Sequence, residues 1–121
     1  MKEFLFVYRN EFDKIPAGSP DEMNAMMKRW MDWLGSIAAQ NKFVSGTGLP
    51  FDGARVVKTK NSKPVVTNGP FGDIKETIGG LIVVKADSFD EAVEFAKGCP
   101  VLQGEGNSME IRRIAKGDGV H

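Results

Sequence analysis

Eight side chains are of types that can hold or transform a small polar molecule, and they fall in four places along the chain. Tyr8 and Arg9 close the first apolar run; Asn68 opens an Asn68-Gly69-Pro70 turn with Phe71 behind it. Lys75 and Glu76 follow in a charged stretch that begins at Asp73, and Glu110 and Arg112 alternate near the end. Arginines grip a carboxylate through paired N–H groups while a nearby carboxylate moves a proton, so such a set suits a small carboxylate or enol-like ligand. Glu76 is the candidate proton-transfer residue, with Lys75, Arg9 or Arg112 as anion holders. Asn68 can orient a ligand or cap its turn through the amide, but it cannot act as a base. Phe71 is placed to wall a pocket. Ordinary ion pairs explain Glu110 with Arg112, and Lys75 beside Glu76, at least as well, because these residues are neighbours on one strand face or in one loop.

Other chemistries lack their parts. The only imidazole is His121 at the end of the sequence, so Ser-His-Asp and Cys-His nucleophiles have no base. Cys99 is alone, beside Pro100; it has no disulfide partner and no CxxC mate, which excludes a thiolate/imidazole metal cluster and fits a reducing cytoplasm. Gly46-Thr47-Gly48 and Gly104-Glu105-Gly106 form neither a GxGxxG nor a Walker pattern, so no nucleotide or other cofactor is expected. Sixteen basic and sixteen acidic residues cancel, and no block of like charge stands out, which argues against nucleic acid or an anionic membrane as partner. No apolar run has the length of a signal core or a membrane span.

The 121 residues suit a single domain, 1–121. Lys2 to Arg9 reads as a strand with Phe4, Phe6 and Tyr8 on one face and Leu5, Val7 and Arg9 on the other. Ser19-Pro20-Asp21-Glu22 has the form of a helix start. Met23, Met26, Met27, Trp30, Leu34, Ile37 and Ala38 then recur at helical spacing as a core face. Gln40 to Gly53 is expected to be an ordered connection. Ala54 to Lys60 and Pro64 to Thr67 make a hairpin around Asn61-Ser62-Lys63, followed by the charged loop. Leu81 to Lys85 is a strand. Ser88-Phe89-Asp90-Glu91 opens a helix through Lys97 with Phe89, Ala92, Val93 and Ala96 inward and Gly98 as its stop. Ser108 to Ala115 closes the set.

This order, β-α-β-β(-β)-α-β, predicts an α+β fold: a ferredoxin-like split βαβ antiparallel sheet with both helices on one face. Two helices cover one side only, yet Leu5, Val7 and the run Leu81-Ile82-Val83-Val84 offer apolar groups on both. The uncovered face is therefore expected to meet a second copy in a homodimer.

The string Asn68-Gly69-Pro70-Phe71-Gly72-Asp73-Ile74-Lys75-Glu76, closed by Gly79-Gly80, resembles the DGPF-type motif of the YCII-related family. The aliphatic strand, the acidic helix ending in Cys99-Pro100 and the final Glu110-Ile111-Arg112-Arg113 follow in the family's order, and the likeness spans nearly the whole chain. The resemblance implies a dimeric α/β barrel without a settled activity, and it also points to Glu76. Some members carry a His-Asp pair suited to hydrolysis or dehydration, and some occur near sigma-factor-like regulators, which implies a regulatory interaction module as a third reading. Asn68 stands where the pattern has Asp, and Arg113 where it has Pro.

Overall fold

The computed structural model describes residues 1–11, 19–50, 53–68 and 76–115. Alternation in the first apolar run sets the architecture. Phe4 and Phe6 are fully buried on one side of strand β1 (Lys2–Glu11), so helices must cover that side. In chain order follow α1 (Pro20–Ala38), β2 (Phe43–Gly48), β3 (Arg55–Lys60), β4 (Lys63–Asn68), β5 (Glu76–Ala86), α2 (Phe89–Lys97), a 3-10 turn (Pro100–Gln103) and β6 (Ser108–Arg113). Four strands form one antiparallel sheet in the order β2-β5-β1-β6, and β3 and β4 form a separate two-stranded sheet. With that hairpin set aside, this is the ferredoxin-like order expected from the sequence.

The core lies between the sheet and both helices. Phe4, Phe6, Ile82, Val84 and Ala86 face Trp33 and Ile37 of α1 and Ala92 and Ala96 of α2, with Cys99 closing the end. Both helices start as their sequences require. The Ser19 hydroxyl accepts from the Glu22 N–H at 3.2 Å and Pro20 takes the first helical position; Ser88 accepts from the Glu91 N–H at 3.1 Å. The Glu91 carboxylate accepts from the Asp87 N–H at 2.9 Å and from Lys42 Nζ at 2.8 Å, tying the end of α1 to the start of α2. That contact holds Lys42 above and Glu91 below their usual pKa values. Gly98 ends α2 without left-handed backbone. Its lack of a side chain serves packing, since a Cβ there would lie 3.4 Å from the Trp33 ring. Trp33 in turn donates from Nε1 to the Phe95 carbonyl at 2.8 Å.

Four expectations need correction. Residues 43–48 are not a connection but edge strand β2, in register with β5; backbone pairing there supplies what Gly46 and Gly48 lack in strand preference. The core face of α1 is narrower than its apolar stripe. Trp33 and Ile37 are buried and Trp30 and Leu34 half-buried, but Met23 and Met27 are 62% and 59% exposed, and Ala38 is exposed. The sheet reaches only part of the helix, so those methionines have nothing to pack on. Phe89 is also half-exposed, its edge meeting the Phe4 ring at a centroid distance of 5.2 Å. Finally, β5 begins at Glu76, so Glu76, Gly79 and Gly80 belong to a strand and not to a loop, because pairing with β1 continues to Glu11.

Candidate functional site

Strand alternation divides the sequence-predicted residues between the two sheet faces. Tyr8 shares the helix-covered side with Phe4 and Phe6, whereas Arg9, Glu110 and Arg112 lie on the open side with Leu5, Val7, Leu81 and Val83. Arg112 sits farther back, opposite Leu5. Tyr8, Arg9 and the Glu110 carboxylate come together near one end of the sheet, where β1 finishes and β5 begins. There Tyr8 pairs with Gly80, Arg9 with Ser108 and Ile78, and Glu11 with Glu76.

On the covered side, the Tyr8 ring lies over the Gly79-Gly80 step. A Cβ at Gly80 would run into the Tyr8 hydroxyl and would lie 2.5 Å from the Thr47 carbonyl oxygen; one at Gly79 would lie 2.9 Å from the Tyr8 ring and 2.5 Å from Asn10 Nδ2. The paired glycines are thus the floor that lets this ring lie down. Trp30 meets Tyr8 edge-on at 5.2 Å, and Trp33 lies 5.4 Å beyond Trp30, so three aromatic rings line one wall. Burial, and then Cys99, raises the pKa of the Tyr8 phenol, which therefore keeps its proton at neutral pH. Among the described residues the hydroxyl has no hydrogen-bond partner. Burial also pushes the Cys99 thiol up to about 12, so it is no nucleophile.

On the open side, Glu110 accepts from Arg9 Nη1 at 3.0 Å and from Arg112 Nη1 at 3.2 Å. Both guanidiniums hold its carboxyl below the usual range, Arg112 first. A carboxylate held in this way orients two cations and is a poor proton acceptor. The trio keeps one net positive charge at the edge of an apolar floor.

Of the remaining predicted residues, Asn68 ends β4 and Glu76 begins β5, and only their backbone is described. Phe71 and Lys75 lie outside the described residues. Sequence reasoning missed the Gly79-Gly80 floor and took Trp30 for core alone; two adjacent glycines before an aliphatic strand were the available signal. Among the described residues no group of His, Cys, Asp or Glu is arranged to hold a metal ion, and no helix is long and apolar enough to cross a membrane.

The fold is that of a small α+β protein with a ferredoxin-like sheet. The YCII-related domain family matches residues 1–116, and the chain belongs to that family. An uncharacterised protein of Rhizobium meliloti (strain 1021) is 28% identical over 85 residues, covering 64% of this chain and 68% of its own. Among solved structures, this chain is similar to 5-chloro-2-hydroxyhydroquinone dehydrochlorinase from Burkholderia phenoliruptrix AC1100, in complex with 2,5-dihydroxybenzoquinone. The TM-score is 0.45 and the identity 19%, over 88% of this chain and 90% of the other.

Proposed function

We propose that the protein binds a small organic molecule carrying an anionic group at the sheet end where β1 finishes and β5 begins. The observation that carries this reading is the Tyr8 phenol: half-buried, protonated, walled by Trp30, and with no hydrogen-bond partner among the described residues. No buried side-chain oxygen or nitrogen among the described residues lacks a partner, so this hydroxyl reaches solvent, and a ligand oxygen would take the place of water there. Arg9, held by Glu110 on the other face of the same strand end, adds a positive field that favours an anion there without touching a ligand at Tyr8. In a thermal-shift screen of small carboxylates and enols, a binder should raise the melting temperature of the wild type and do so far less in Tyr8→Phe, which keeps the ring. Equal shifts in both proteins would remove Tyr8 and this reading.

A second reading makes the protein a cofactor-independent isomerase- or lyase-type enzyme with Glu76 as the proton-transfer residue. Its support is the register, which brings Glu76 to the strand end that carries Tyr8 and Arg9. Glu76→Gln should then bind the same compound and abolish its turnover. Unaltered turnover would retire the residue.

We also infer a homodimer. Leu5, Leu81 and Val83 are half-buried on a face that neither helix covers, and a second copy would bury them. Sedimentation giving a monomer at micromolar concentration would refute the dimer.

A further inference from the structure

We propose that the β3–β4 hairpin is an arm that packs on the exposed methionine ridge of α1 in a second copy of this chain, reciprocally in the pair. The inference rests on the homodimer reading above and adds a contact separate from the open sheet face. It starts from two surfaces left uncovered.

The first is the hairpin. Among the described residues its substantial packing is between its own strands, and a lone two-stranded ribbon is marginal in water. Register places Val57 opposite Val66 and Thr59 opposite Pro64 on one face, and both valines are 63% exposed. The other face carries Lys58, Lys60 and Lys63. With Arg55, these make four basic residues, and the sequence has no acidic residue between Asp52 and Asp73. The even spacing of these charges hides the concentration in the sequence. Because the whole chain sums to zero, the residues outside the hairpin carry the compensating four negative charges.

The second surface is the ridge of α1. Met23, Met27 and Met31 follow one another every four residues and are all exposed, with Ala38 extending the row. No charged residue interrupts this strip, and Asp21 and Glu22 stand at its start. Its span from Met23 to Ala38 is about 22 Å at 1.5 Å per residue, and a six-residue strand covers about 20 Å. The ribbon face of Val57, Val66, Thr59 and Pro64 carries its one charge, Arg55, at the end away from the tip, and it matches the apolar helix ridge in length. Methionine adapts to either partner.

Electrostatics sets the direction. The hairpin tip, with Lys60 and Lys63 around Asn61-Ser62, belongs over the acidic first turn at Asp21 and Glu22 of the other copy. Within one chain both surfaces stay exposed, so they do not serve each other there. Reciprocal exchange under a two-fold axis closes the assembly at two copies.

The test mixes a Val66→Cys chain with a Met27→Cys chain under mild oxidation. Native Cys99 is 2% exposed and its thiol is unreactive, so it does not compete. The expected product is a disulfide-linked Val66→Cys/Met27→Cys dimer, formed in preference to either self-linked dimer. Separately, Met27→Glu and Val66→Asp should each weaken dimerisation at least about tenfold, with unchanged circular dichroism, since a charge would be buried in an apolar contact. A dimer that persists with no mixed disulfide and unaltered affinity would overturn the arm while sparing the homodimer. A wild-type chain that stays monomeric would overturn both.

Discussion

The four-stranded sheet and the β3–β4 hairpin are made of the same kinds of residue and meet opposite fates. Val84 in β5 is fully buried while Val57 in β3 is 63% exposed, although both sit in runs of β-branched residues. Strand preference makes a ribbon in either place, and only a covering layer turns the ribbon into core. In the sheet, α1 and α2 supply that layer; along the hairpin, nothing within the described chain does.

The largest expected effect tests that contrast directly. Phe6→Ala empties a fully buried position and should cost about 3–5 kcal/mol in denaturant unfolding, whereas Val65→Ala, 38% exposed on the hairpin face that carries Lys58, should stay within about 0.5 kcal/mol. Similar losses would mean that the hairpin is as well packed as the sheet. Next, Gly80→Ala drives a methyl group against the Tyr8 hydroxyl and the Thr47 carbonyl oxygen, and should cost about 1–3 kcal/mol. It should also disturb the tyrosine near-ultraviolet signal, which no hairpin substitution should do.

A smaller effect follows pH. Glu91 is depressed chiefly by the Lys42 hydrogen bond, so its contribution is complete above the ordinary carboxyl value near 4.5 and is lost as pH falls through the lower folded value. Lys42 is raised chiefly by the same bond, so its contribution is complete below the ordinary value near 10.5 and is lost as pH rises through the higher folded value. Lys42→Met should flatten both limbs of the stability profile, and retention of either limb would assign it to other groups. The smallest effect belongs to the hairpin. Asn61 and Ser62 both have positive φ, the backbone of a type I′ turn that favours Asn-Gly. Ser62→Gly should stabilise the hairpin by up to about 1 kcal/mol, seen as slower hydrogen exchange of β3 and β4 amides alone.

Much of the fold was legible because its signals are local. Ser19 and Ser88 caps, the alternation of Phe4, Phe6 and Tyr8, and the Asn61-Ser62 turn each follow from residues close in sequence. What escaped depends on distant partners. Strand β2 exists because β5 lies beside it, and the glycines at 46 and 48 hide it from any reading of preference. The outward methionines of α1 look like core residues until the reach of the sheet is known. At the site, alternation already separates Tyr8 from Arg9. The meeting of Arg9, Glu110 and Arg112 needs the β1–β6 register, which no spacing reveals. The bed for the Tyr8 ring needs β5 to run back past Gly79, against the expectation of a loop there.

Strand β1 draws its two neighbours from residues 76–86 and 108–113. Strand β1 thus lacks both its neighbours until residues 76–113 have left the ribosome. Assembly therefore depends on contacts between distant parts of the chain, a topology that slows folding. A fragment stopping before Ser108 would leave one side of its middle strand open, a ready template for clumping during synthesis.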